Sequence, residues 1–284
     1  MSESVSYALG ALVLYGFADF VYKRGAMAGA QPHQFLMVQT WFFSSLALAY
    51  GILTRTLVLG LGMLWGAAAG VLVVVGYYNF AWSLRHGSVS TNATIFRLSF
   101  AVTAVLAVLV LDEPLTSPKL IGLVSALVAV WLLLAAPGAG GDRSDSESRT
   151  SLGRVLIATL AVGIASFTYK LGLRAGAAPV GLVVAQGGVA VTLATAFAAI
   201  VDRGVRPSRV VLSHAPLAAV LLVFAFIFLA MGLQRGDASV IVPIAQMGFV
   251  VTALLGFVFL REPFTLRKGA GLIAALAALA SLAR

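Results

Sequence analysis

The chain contains itself twice. Tyr22-Lys23-Arg24-Gly25 through Gln39 aligns without a gap on Tyr169-Lys170-Leu171-Gly172 through Gln186, at an offset of 147 residues. Leu84 to Gly122 aligns on Leu233 to Gly271 at an offset of 149. The second match keeps Phe100/Phe249, Thr103/Thr252, Glu113/Glu262, Pro114/Pro263, Thr116/Thr265 and Lys119/Lys268. A unit of this length is half a protein rather than a solenoid repeat. Any fold must therefore build one half twice.

Each half is too apolar for water. Hydrophobic residues make up 61% of the 284, and charged residues only 10%, against about 25% in soluble domains. A helix needs about 20 apolar residues to cross the hydrocarbon core. Ten stretches qualify, near 5–23, 35–53, 60–84, 89–111, 119–136, 153–173, 180–201, 215–234, 238–260 and 266–283. Met1-Ser2-Glu3-Ser4 has no basic character, so the first stretch reads as a retained span rather than a cleaved signal. Residues 137–151, with Gly-Ala-Gly-Gly and a Ser/Asp-rich run, read as a polar linker between the halves 1–136 and 152–284. Five spans per half is an odd number, so the second half enters the membrane upside down. The expected fold is an all-α bundle of ten transmembrane helices, built as two inverted five-helix repeats. Inverted repeats of this kind place a solute site at mid-membrane, between the halves of a secondary transporter.

Composition excludes much else. There are no cysteines, and His33, His86 and His214 share no metal-ligand spacing; no cofactor is expected. No Gly-x-x-x-x-Gly-Lys-Ser/Thr loop is present, so nucleotide hydrolysis is not the energy source. An integral-membrane enzyme would need clustered catalytic groups, and a channel a continuous polar lining. These are the rival readings. The net charge of +9 is mostly loop Arg and Lys, which suits lipid headgroups rather than nucleic acid. Loops after the odd-numbered spans hold twelve of the nineteen basic residues and the other side six. The positive-inside rule puts those twelve in the cytoplasm and both termini outside.

Polar residues within spans are functional candidates, because an ionisable group at mid-membrane costs at least about 2.5–3.5 kcal/mol. Asp19 in span one and Arg97 in span four stand out; their repeat partners are Ser166 and Gln246. Asp19 could pair locally with Lys23, one turn on, or with Arg97 across helices. Gln39 and Gln186 hold equivalent places in the two halves, which suits a cavity on the pseudo-twofold axis. Tyr77, Tyr78, Asn79 and Trp82 cluster late in span three, as interfacial anchors or a cavity wall. Asn92 opens span four at the same level. Lys170 matches Lys23. The candidate solute-binding set is thus Asp19, Lys23, Gln39, Tyr78, Asn79, Trp82, Asn92, Arg97, Lys170, Gln186 and Gln246. Gly62, Gly66 and Gly70 allow close helix approach, within the bundle or in a homodimer. Pro243 is expected to kink span nine on one side only, since its repeat partner is Thr94. Glu113 and Glu262, in Glu-Pro-x-Thr turns, read as solvated loop carboxylates, with the prolines ending one helix and the threonines capping the next.

The five-plus-five spans, the glycine and proline before the second span (Gly29 and Pro32, Gly176 and Pro179), and the turns Glu113-Pro114-Leu115-Thr116 and Glu262-Pro263-Phe264-Thr265 resemble the drug/metabolite transporter superfamily. The type they resemble within it is the EamA-like ten-span carrier. The resemblance covers nearly the whole chain. It implies a bacterial inner-membrane carrier, usually an exporter of amino acids, metabolites or drugs, with both termini in the cytoplasm. Many such carriers have a basic residue where this chain has Gln39 and Gln186. In the small four-span multidrug transporters of the superfamily, a first-helix carboxylate couples export to protons. By that resemblance Asp19 would make protons a second partner.

Overall fold

A computed structural model describes residues 2–86, 89–134, 145–259 and 265–283. Every regular element in them is helical: α1 (Glu3–Met27), α2 (Pro32–Leu53), α3 (Met63–His86), α4 (Val89–Arg97), α5 (Ser99–Leu111), α6 (Ser117–Leu134), α7 (Asp145–Arg174), α8 (Pro179–Asp202), α9 (Arg209–Arg235), α10 (Ala238–Gln246), α11 (Gly248–Phe259) and α12 (Leu266–Leu282). Taking α4–α5 and α10–α11 as one interrupted span each gives the ten expected. Eight of these are long and apolar enough to cross a membrane. The other two, α6 and α12, are shorter and pack on each other.

The repeated sequence builds repeated local structure. Pro32 and Pro179 start α2 and α8 at the first turn, where no N–H is needed. The preceding helices end alike. Gly29 and Gly176 sit at φ +88° and +82°, while Ala30 N–H donates to Gly25 O and Ala177 N–H to Gly172 O, 3.0 and 2.9 Å. This is a Schellman stop, and its left-handed residue favours glycine. Ser2, Ser208 and Thr265 cap α1, α9 and α12 through their hydroxyls. The Thr116 carbonyl accepts from Leu120 N–H at the start of α6. Glu262 and Pro263 lie outside the described residues. So do the first residues of the expected linker; 145–151 belong to α7.

The halves pack as a twofold requires. α1 runs along α9 and α7 along α3; α2 meets α8 and α6 meets α12; α1 touches α11 as α7 touches α5. One hydrogen bond appears in both copies. Thr252 Oγ1 donates to Gly16 O at 3.0 Å, and Thr103 Oγ1 to Gly163 O at 2.8 Å. With five spans per half, an exchange of this kind inverts one repeat relative to the other.

Gly62, Gly66 and Gly70 are consumed inside the bundle. A Cβ on Gly66 would stand 2.4 Å from Leu182 O, and one on Gly70 2.7 Å from Gln186 O. These glycines let α3 lie directly on α8. On the other side of the pseudo-twofold, Val211, Ala215 and Ala219 hold the matching positions of α9 and are buried.

The expected one-sided kink is corrected. Both spans four and nine break, at the equivalent residues Leu98 and Met247. Each N–H there bonds three residues back, Leu98 to Ile95 O (3.0 Å) and Met247 to Ile244 O (3.1 Å). Pro243 lies inside α10, not at its end. The break is therefore a property of the repeat, a short tight turn in mid-span.

Candidate functional site: a small uncharged cavity between the repeats

α2 and α8 cross where the halves meet, and Gln39 and Gln186 face each other's repeat from equivalent positions. They line a narrow cavity of about 20 Å³ with Thr40, Tyr77, Phe43, Leu222, Phe226 and further apolar neighbours. The crossing is fastened by Ser44 Oγ, which donates to Gly187 O at 2.7 Å. Both glutamine Oε1 atoms are buried without a hydrogen-bond partner, as are the hydroxyls of Tyr15 and Tyr169. An unpaired buried polar group costs about 1–3 kcal/mol. The lining contains no charged residue.

The span charges pair across helices. Arg97, the last residue of α4, is hydrogen-bonded to the Asp19 carboxylate on α1. Their side chains keep 17% and 28% exposure, so the pair is partly accessible. Tyr15, Tyr22 and Tyr77 lie within electrostatic reach of Asp19. Tyr77 also lines the cavity. Gln246 holds the position matching Arg97, at the end of α10 beside the Met247 break.

Other candidates have structural partners. Asn92 is buried, donating to Ser83 O (2.7 Å) and Ser151 Oγ (2.8 Å), which ties α3, α4 and α7 together. Asn79 Oδ1 accepts from Arg154 at 3.2 Å, and that guanidinium lies 4.4 Å over the Trp82 ring and 5.9 Å from Tyr78. Tyr78, Asn79 and Trp82 thus gather around a cation near the start of α7, apart from the residues lining the cavity.

Lys170 belongs to a polar clamp at the end of the bundle that carries the chain termini. Its Nζ donates to Leu233 O and Gly236 O, both 2.7 Å. Lys119 Nζ meets Asp237 Oδ2 at 2.7 Å. Glu113 is buried, contrary to its reading as a solvated loop carboxylate. Its oxygens accept from Ala238 N and Ser239 N, both 2.8 Å, and from Ser239 Oγ at 2.6 Å. Glu113 is therefore the N-terminal cap of α10, supplied by the other repeat. Sequence spacing could not reveal this, because the cap and the helix are more than 120 residues apart.

Comparison with known proteins agrees with this architecture. The EamA-like transporter family matches residues 3–135 and again 151–284. The chain belongs to that family, a class of membrane transporters rather than enzymes. A solved crystal structure superposes with a TM-score of 0.82, covering 99% of this chain and 96% of that one, at 15% identity; it shares the fold. An uncharacterized protein of Methanocaldococcus jannaschii, MJ1333.1, is 35% identical over 63 residues, 22% of this chain. The match spans 46% of that protein's length.

Proposed function

We propose that the chain carries a small, net-neutral amphipathic organic solute across the cell membrane by alternating access, with residues 1–136 and 152–284 as the moving halves. An amino acid, or a metabolite or drug of similar size, is the solute class. Export is the direction that the family resemblance favours, and a bacterial inner membrane the location. The observation that carries the reading is the cavity on the pseudo-twofold, with two unpaired carboxamide oxygens and a wall that is otherwise mostly apolar.

Charge decides the class. The cavity lining is uncharged and the Asp19–Arg97 pair sums to zero. A lone anion or cation would leave one buried charge uncompensated, which is strongly unfavourable at low dielectric. A zwitterion can exchange partners with the ion pair, carboxylate to Arg97 and ammonium to Asp19, at no net change of charge. The engaged Asp19 favours solute exchange over obligatory proton coupling. A single chain suffices, since the small-residue face of α3 is already buried against α8.

The test is counterflow of tritiated L-tyrosine in liposomes containing the purified protein. Saturable counterflow at neutral pH without a proton gradient supports the reading. Flux that does not saturate, or none, contradicts it.

A further inference from the structure

Among the described residues, the hydroxyls of Tyr15 and Tyr169 and the Nε of Arg267 are the buried unpaired polar atoms outside the cavity lining, and the two hydroxyls are the ones beside it. Tyr15 is 7% exposed and Tyr169 1%. Both rings pack on Phe226, at 5.6 and 6.1 Å between centroids. Phe226 also lines the cavity with Gln39 and Gln186, whose Oε1 atoms are unpaired too. Four unpaired polar atoms, from α1, α2, α7 and α8, thus lie in the neighbourhood of one half-buried aromatic ring on α9. Tyr15 comes from the first repeat and Tyr169 from the second, so a solute reaching both hydroxyls touches both moving halves.

A buried hydroxyl without a partner destabilises the fold that keeps it. Phenylalanine would fill the same volume without that cost. We propose that Tyr15 and Tyr169 are specificity-determining residues whose hydroxyls, with the Gln39 and Gln186 amides, bind a neutral N–H or O–H substituent on the apolar body of the solute. The inference rests on the carrier reading above and narrows it: the preferred solute is net-neutral, has a flat or branched apolar body for Phe43, Leu222 and Phe226, and ends in a hydrogen-bonding group. A site whose polar groups are left unpaired by a smaller analogue rejects that analogue strongly, whereas an apolar pocket discriminates weakly.

The experiment compares tritiated L-tyrosine with tritiated L-phenylalanine in the liposome counterflow assay, for wild type, Tyr15→Phe and Tyr169→Phe. Melting temperatures of the same purified proteins are measured alongside. Wild type is expected to prefer L-tyrosine by about tenfold or more in kcat/KM. Each variant should lower L-tyrosine transport about tenfold while leaving L-phenylalanine unchanged or faster, and neither should melt at a lower temperature. Equal losses for both probes, an unchanged preference, or a lowered melting temperature overturns the inference, since the hydroxyls are then bonded within the fold. A wild type that carries both probes without preference overturns this inference and leaves the carrier reading intact. A wild type that carries neither overturns both.

Discussion

Asp19 and Arg97 were legible as unusual residues from their depth in apolar spans, but not as partners. They are 78 positions apart, and Lys23 offered a nearer cation. Only the packing of α1 near the end of α4 selects Arg97. The pair makes a sharp prediction. Asp19→Asn or Arg97→Gln alone leaves one charge without its partner and should cost about 2–3 kcal/mol, the low end for a pair that keeps some exposure. The double variant Asp19→Asn/Arg97→Gln should be more stable than either single one. A double-mutant cycle of melting temperatures checks this; strict additivity would mean the two groups do not interact. For the amides, Gln39→Leu and Gln186→Leu should each cut counterflow at least tenfold while melting no lower than wild type, because each removes an unpaired buried oxygen.

Elements show where sequence reasoning stops. Helix ends were readable where the signal is local: Pro32 and Pro179 start helices, Gly29 and Gly176 end them, and both copies agree. The breaks at Leu98 and Met247 were not readable, because neither residue is a helix breaker and the one proline nearby lies inside α10. The close packing around Gly16 and Gly163 holds these segments from outside, as the Thr252 and Thr103 bonds show. Glu113 looks like a solvated loop residue in sequence for the same reason, since its partners are on another element. Glu113→Gln keeps an acceptor but loses the charge and presents an NH2 group to a backbone donor. It should lower the melting temperature by several degrees, and Ser239→Ala, which removes one of three bonds, by less. Glycine substitutions separate packing from propensity. Gly66→Ala drives a Cβ into the α8 backbone and should destabilise. Gly188→Ala meets nothing within 4 Å in the middle of α8 and should stabilise by about 0.5–1 kcal/mol. Thermal unfolding of the two in one detergent decides; equal effects would contradict the α3–α8 crossing.

Two inverted halves meet in a neutral cavity, and the clamp around Glu113 ties them together at the end that carries the termini. The repeat made this architecture readable from sequence alone, since an odd number of spans forces the inversion. The cavity was half readable: Gln39 and Gln186 stand out by symmetry, while Thr40, Phe43 and Phe226 look like ordinary core until the helices are crossed. Alternating access requires the cavity to open to one side at a time. The chain has no cysteine, so Thr40→Cys places a single thiol in the cavity wall. Its rate of modification by a membrane-impermeant maleimide is measured in right-side-out and inside-out vesicles, with and without Glu113→Gln. A carrier predicts reaction from both sides, with Glu113→Gln raising the rate from the termini side and lowering it from the other. Reaction from one side only, or rates from the two sides that rise together, would contradict alternating access between the repeats.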